Sequence, residues 1–282
     1  MSDQQAPLLE VENLRVSFAT PTGPVEVVKG LSFTLGREER LGIVGESGSG
    51  KSMTGRAILR LIRTPGRQTA DVLRFDGLEL AAQSARQMRG IRGARISMIM
   101  QDPKFSLNPV MTIGEQIAEA LKVHERLPRR DLQARVIEML TSVRINDPER
   151  VAQMYPHEVS GGMGQRVMIA MMLIPRPQLL IADEPTSALD VSVQAQVLDL
   201  IEELVTGNGM GLILISHDLN LVARYCDRIL VMNAGRVVES CAAADLHKAQ
   251  HPYTQGLLAA QPRMQETRDE LPVLDRTAGE ST

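Results

Sequence analysis

Gly45-Glu46-Ser47-Gly48-Ser49-Gly50-Lys51-Ser52 is the stretch from which the rest of this sequence can be read. It fits G-x-x-x-x-G-K-[ST] in full. An apolar run at residues 41–44 precedes it and reads as a buried strand, and residues 51–61 read as a helix. Glycines let the backbone curl so that successive N–H groups converge on one point, a concave anion site. Lys51 can then reach the outer phosphates of a nucleotide, and the Ser52 hydroxyl is placed to ligate Mg²⁺. The positive N-terminal end of the helix faces the same phosphates. Strand, loop and helix in this order predict a site for a nucleoside triphosphate.

Length and composition bound what such a site can serve. The 282 residues allow one large domain or two modest ones with a substantial core. Hydrophobic residues at 43% and charged residues at 23% describe a soluble globular protein. Aromatic residues are only 2%, with no Trp, which disfavours a stacking platform for single-stranded nucleic acid. A formal net charge of −3 gives no general drive toward DNA or RNA, so no nucleic-acid partner is expected. Cys226 and Cys241 lie too far apart for a C-x-x-C metal pair and read as reduced thiols. Residues 1–7 are polar and lack the layout of a signal peptide. The longest apolar run, residues 167–174, is far short of the ~20 residues a membrane span needs. Any work at a membrane is expected from its aqueous side.

Working outward from the loop, residues 8–18 and 25–35 alternate apolar and polar positions, with Pro21, Gly23 and Pro24 between them. They read as antiparallel strands. Residues 72–75 read as another strand, ending at the tight turn Asp76-Gly77. Residues 96–100 form a short apolar strand ending at Gln101. Beyond it the pattern turns helical: Thr112 and Glu115 make a capping box, with Ile113, Ile117, Ala120 and Leu121 on one face. A second stripe follows Pro128, at Leu132, Val136, Leu140 and Val143. Residues from about 104 to 165 therefore read as a helical insertion in an α/β chain. Residues 167–174 read as a helix stopped by Pro175, and residues 179–182 as a buried strand running into Asp183-Glu184. A helix carries Val193, Val197, Leu200, Ile201 and Leu204, and a strand at residues 211–215 ends in Ser216-His217-Asp218. Residues 229–232 and 236–238 read as a hairpin around Asn233-Ala234-Gly235. The sequence after Pro262 is polar.

Apolar strands thus deliver a glycine loop, Gln101, Asp183-Glu184 and His217, and in a parallel sheet the carboxyl ends of strands share one ligand-binding edge. Asp183 suits a hard cation through its oxygens. Glu184 is the candidate to orient and deprotonate attacking water. Gln101 can coordinate Mg²⁺ and contact that water. His217 can donate to a γ-phosphate and fix the geometry around Glu184. Ser160-Gly161-Gly162 lies just before a helix, so its N–H groups and hydroxyl form a second anion site.

With every motif present and in order, the sequence resembles the nucleotide-binding subunit of ABC transporters across roughly residues 8–258. The resemblance implies a P-loop NTPase ABC ATPase fold, with a RecA-like core, an N-terminal antiparallel β subdomain and a helical insertion. Residues 259–282 then form a polar C-terminal tail. It assigns Gly45, Glu46, Ser47, Gly48, Ser49, Gly50, Lys51 and Ser52 to Walker A and Gln101 to the Q-loop. It assigns Ser160, Gly161 and Gly162 to the signature, Asp183-Glu184 to Walker B, residues 187–190 to the D-loop and His217 to the H-loop. Phe18 resembles the aromatic residue that stacks on adenine, although an aromatic in an early strand is often simply core. Implied ligands are ATP and Mg²⁺, the metal held by Ser52, Gln101 and Asp183. Lys51, Glu184 and His217 are the implied catalytic set. Met163 stands where the commoner signature has Gln.

Two chains of this family sandwich two ATP molecules, each between Walker A of one and the signature of the other, which accounts for two anion sites in one chain. The resemblance further implies two integral membrane permease subunits, a second ATPase subunit (a copy or a sister chain) and a periplasmic or extracellular solute-binding protein. The expected location is the cytoplasmic face of the bacterial plasma (inner) membrane. Gln101-Asp102-Pro103, Ser106-Leu107-Asn108-Pro109 and His251-Pro252-Tyr253-Thr254 resemble the dipeptide, oligopeptide and nickel importers. No cysteine follows Cys241, so no iron–sulfur cluster is expected, and this shorter form is similar to nickel or metallophore members. A soluble ABC ATPase of DNA repair or translation is the alternative, but paired cassettes or coiled-coil insertions are not visible. A P-loop kinase or GTPase leaves Ser160-Gly161-Gly162 and His217 without a role.

Overall fold

A computed structural model describes residues 6–100, 107–187 and 190–260. The chain divides into two compact units. One comprises Met1–Leu9, Leu35–Glu39 and Arg74–Ile213, and the other Glu10–Thr34, Arg40–Leu73 and Leu214–Thr282. The chain begins with β1 (Leu9–Thr20), β2 (Gly23–Leu35), β3 (Arg40–Val44) and α1 (Lys51–Ile58). It continues with β4 (Gly66–Thr69), β5 (Val72–Phe75), β6 (Leu78–Glu79), α2 (Ala85–Ile91) and β7 (Ile96–Ile99). A helical stretch follows: α3 (Ile113–Lys122), α4 (Arg129–Ser142), α5 (Pro148–Gln153) and α6 (Gly161–Leu173). The last part holds β8 (Leu179–Asp183), α7 (Val191–Gly207), β9 (Gly211–Ser216), α8 (Leu219–Tyr225), β10 (Arg228–Asn233), β11 (Arg236–Ala242) and α9 (Pro252–Ala260).

Within the second unit one set of strands runs in the order β2-β1-β5, with β4 antiparallel to β1 and Phe18 opposite Gly66. The other runs β11-β10-β3-β9. There β10 is parallel to β3 and antiparallel to β11. Leu41, Ile43 and Val44 of β3 are fully buried, as a strand covered on both faces requires. The predicted hairpin of β10 and β11 is present. Asn233 pairs with Arg236, and both turn residues, Ala234 (φ 46°) and Gly235 (φ 86°), are left-handed, the geometry that follows strand twist.

Helix α1 stops earlier than its sequence pattern predicts, at Ile58 rather than Leu61. Arg60 adopts φ 53°, its N–H bonds to Ala57 O, and Leu61 N–H bonds to Arg56 O. This is a Schellman ending with arginine where glycine is usual, so composition gave no warning of it.

In the first unit the order is β9-β8-β7, with β8 and β7 parallel. The capping box predicted at Thr112 and Glu115 opens α3, and Ile113, Ile117 and Leu121 are buried on one stripe. Helices α3, α4, α5 and α6 pack on one another. Helix α6 begins at Gly161, so the glycine pair forms its first turn rather than preceding it. The short elements β4, α2, α5, α8 and α9 were not anticipated. Among the described residues no helix is long and apolar enough to cross a membrane.

The Asp76-Gly77 turn of the first unit is also left-handed at both positions, at φ 47° and 76°. The Asp76 carboxylate accepts from Arg37 and, at 2.5 Å, from Arg95, whose Nε donates to Gln178 at 3.0 Å. The hydrogen bond from Arg37 is the main reason its acid lies below the usual aspartate value, with Arg95 adding to it and partial burial opposing. A depressed folded pKa stabilises the native state above the unfolded value of 3.8 and is lost as pH falls through the folded value. Asn tolerates the same backbone, so Asp76→Asn is expected to cost about 1 kcal/mol at pH 7. The gap from the wild type should narrow below pH 3.8 and vanish under stronger acid, as read by urea denaturation at several pH values.

Candidate functional site

The loop after β3 is shaped by what it passes. A Cβ on Gly45 (φ 155°) would lie 2.1 Å from the Met232 carbonyl oxygen, and one on Gly50 (φ 99°) 2.4 Å from that of Val27. Only glycine fits at either place, and the loop is thereby drawn against β2 and β10. Gly48 (φ 83°) faces open space instead. Ser49 N–H bonds to Glu46 O at 3.2 Å, and Ser49 O accepts from Gly235 N–H in the β10–β11 turn at 3.1 Å. Helix α1 then starts at Lys51, with Gly50 as its N-cap.

Lys51 is only 5% exposed. Its ammonium donates to Gly45 O at 2.7 Å and Glu46 O at 2.8 Å, which holds the charge beside the loop. Ser49 is 4% exposed, and its hydroxyl has no hydrogen-bond partner among the described residues. A buried orphan hydroxyl, a cation and a helix start in one glycine loop are donors suited to a polyphosphate. Ser52, in the first turn of α1, adds a hydroxyl oxygen of the kind Mg²⁺ takes. In the same unit Phe18 is half-buried, its ring lying over Gly66, so it belongs neither to the closed core nor to open solvent. His217 is exposed just beyond β9, where the Ser216 hydroxyl accepts from Asp218 N–H and Asp218 caps α8.

The first unit holds the acidic residues and the second helix start. Asp183 ends β8 and is 3% exposed. Glu184 follows at φ 46°, a left-handed bend that turns the chain out of the strand, and its carbonyl accepts from Ser187 N–H at 3.2 Å. Ser160 caps α6, its hydroxyl accepting from Met163 N–H at 3.3 Å. Ser160 and Gly161 are exposed, and a Cβ on Gly161 would meet nothing within 4 Å. The approach to this helix start is open.

Two side chains that sequence reasoning passed over also belong here. Gln165, on α6 and 1% exposed, donates to Pro185 O and ties the second helix start to the acidic turn of the same unit. Tyr253, read only as a subfamily marker, accepts from Glu46 N–H through its hydroxyl at 3.1 Å. Neither has a local pattern by which it could have been found. Gln101 and residues 188–189 lie outside the described residues, as does the tail from 261.

Adding one methyl group at Gly50 tests whether the loop works by its backbone. Gly50→Ala must move Val27 or the loop itself, and displacement of that size is expected to weaken triphosphate binding at least ~100-fold. Equilibrium binding of a labelled nucleotide measures it, with circular dichroism checking that the fold persists.

The sequence matches the family described as ABC transporter over residues 28–187. It is 50% identical to the oligopeptide transport ATP-binding protein OppD of Salmonella typhimurium, over 91% of this chain and 77% of that one. It is 46% identical to the dipeptide transport ATP-binding protein DppD of Bacillus subtilis, over 96% of this chain and 81% of that one. The fold is similar to a dimeric structure of the bacterial ABC transporter cassette MJ0796, with a TM-score of 0.74, 25% identity, and coverage of 83% of this chain and 98% of that chain. By the family match and by identity along most of these relatives' length, the chain belongs to the ABC transporter family.

Proposed function

We propose that this chain is the ATP-hydrolysing subunit of an importer for peptides or for nickel and metal chelates. Binding and hydrolysis of ATP go with the family. The observation that carries the nucleotide reading is the loop after β3, where two glycines exclude any side chain and both Lys51 and the buried Ser49 hydroxyl lie against Gly45. Import is supported by the relatives, which are named for oligopeptide and dipeptide transport. The nickel-type alternative rests on the sequence resemblance alone.

In this reading residues 45–52 cradle the phosphates through backbone N–H groups, and Lys51 carries positive charge to the outer ones. Phe18 offers its half-buried ring to the adenine. Ser52, Asp183 and Gln101 would hold Mg²⁺, which would supply positive charge against the phosphates. Glu184 accepts a proton from the water that attacks the γ-phosphorus, and the bond to the β–γ bridging oxygen breaks to release ADP and phosphate. His217 donates to the γ-phosphate oxygens and steadies Glu184. Ser160, Gly161 and Gly162 close on the triphosphate held by a second ATPase subunit, a copy or a sister chain. ATPase subunits of this kind dimerise and work with membrane permeases. Here two permease subunits and a periplasmic or extracellular solute-binding protein complete the assembly, with this chain on the cytoplasmic face of the plasma membrane. The cassette spans residues 8–258, with the helical part at about 104–165 facing the permeases.

Two substitutions and one transport assay test this. Lys51→Ala should weaken ATP binding and abolish turnover, and normal hydrolysis would rule the loop out as the ATP site. Glu184→Gln should still bind ATP, hydrolyse it at least ~100-fold more slowly and accumulate as a nucleotide-bound dimer on size exclusion. Uptake of labelled peptides against Ni²⁺, in cells with and without this chain, assigns the cargo. Dependence of neither on the chain would overturn the importer reading.

A further inference from the structure

The segment His251-Pro252-Tyr253-Thr254 has no part in the chemistry above, yet it touches the phosphate loop. Tyr253 Oη accepts a hydrogen bond from Glu46 N–H at 3.1 Å. That N–H belongs to the peptide unit whose other end is the Gly45 carbonyl, and Gly45 O accepts from Lys51 Nζ at 2.7 Å. In a trans peptide the N–H and C=O point opposite ways. One peptide plane is therefore gripped at both edges, by the tyrosine on one side and the lysine on the other.

This plane needs holding more than most. Gly45 has no Cβ to limit rotation about its own bonds, and it sits at φ 155°. If the Gly45–Glu46 peptide turns over, the Gly45 carbonyl leaves Lys51 and the Glu46 N–H leaves Tyr253, and the start of the loop changes direction with them. The tyrosine is itself well anchored. Glu239 on β11 accepts from Gln250 N–H at 2.7 Å and His251 N–H at 3.4 Å, and His251 Nδ1 accepts from Tyr253 N–H at 3.2 Å. Thr254, the next residue, is fully buried. Burial pushes the pKa of the Tyr253 phenol above its ordinary value, so the hydroxyl stays neutral at physiological pH.

We propose that Tyr253 is a positioning residue for the nucleotide site, holding the Gly45–Glu46 peptide in the orientation that sets Lys51 and the loop N–H groups for the triphosphate. The inference rests on the reading of this loop as the ATP site. Because Tyr253 grips the N–H edge, it keeps its hold when Lys51 turns toward phosphate. Loss of the hydroxyl leaves the plane held at one edge only, by a lysine that turns toward phosphate when ATP binds, and apparent affinity falls by the fraction of time the loop spends misdirected.

Tyr253→Phe removes the hydroxyl and keeps the ring. In the full-length chain the Kd for labelled ATP should rise about fivefold, the effect of one neutral hydrogen bond. In the assembled transporter the KM for ATP should rise by the same factor, with kcat within about twofold and the thermal midpoint within ~2 °C of the wild type. Lys51→Ala runs alongside. If it binds ATP normally, the loop is not the ATP site and the inference falls with that reading. If it loses ATP while Tyr253→Phe binds as the wild type does, or more tightly, the positioning role alone is overturned. A fall in kcat at unchanged KM would also overturn it.

Discussion

The close approach of the loop backbone to its neighbours at Gly45 and Gly50 is the constraint on which the rest of the site depends. At both positions the nearest atom to a missing Cβ is a carbonyl oxygen of another strand, Met232 in β10 and Val27 in β2. Those strands have little freedom of their own, because Gly235 in the β10–β11 turn accepts from Lys29 N–H and donates to Ser49 O. The loop is thus cast against a hairpin and a strand before any ligand is considered. Its conformation is a property of backbone contact, which is why the motif is written in glycines.

A nearly buried ammonium is costly unless it is solvated by the protein, and Lys51 is solvated by the two carbonyls of the loop it serves. Neutral carbonyl dipoles are weaker partners than anionic oxygens at the same distance. A triphosphate that enters therefore offers the lysine a better bond without having to drag it from solvent. In the proposed reading, the arrangement keeps the cation ordered and desolvated close to where charge is to be stabilised, as preorganisation requires.

What could be read in the sequence was whatever is local. Apolar runs gave β3, β7, β8 and β9, turn residues gave the tight turn at Asp76-Gly77 and the hairpin at Ala234-Gly235, and the capping box gave the start of α3. The glycine loop, the acidic pair and the serine before α6 were visible because each motif is contiguous. What escaped was held by partners far along the chain. Arg60 ends α1 in a conformation that its residue type disfavours, and Gln165 reads as one more polar residue on a helix until Pro185 is beside it. Tyr253 meets Glu46 across 207 residues, a separation at which no periodicity carries information. Short elements such as β4 and α8 fell below the length at which a period can be counted.

The two helix starts differ in a way that bears on assembly. Helix α1 begins inside a loop that brings its own cation, while α6 begins at an exposed serine and glycine, with no basic residue in its first turn, Gly161-Gly162-Met163-Gly164. N–H groups and half a helix dipole hold a phosphate weakly in water. They gain strength when solvent is excluded and when countercharge comes from another source. In the reading proposed above, the start of α6 therefore closes on a triphosphate already neutralised by the lysine loop of a second chain, rather than capturing one alone. Gln165 ties α6 to the turn after Glu184, so the helix start at Ser160 and the acid are linked within the same unit.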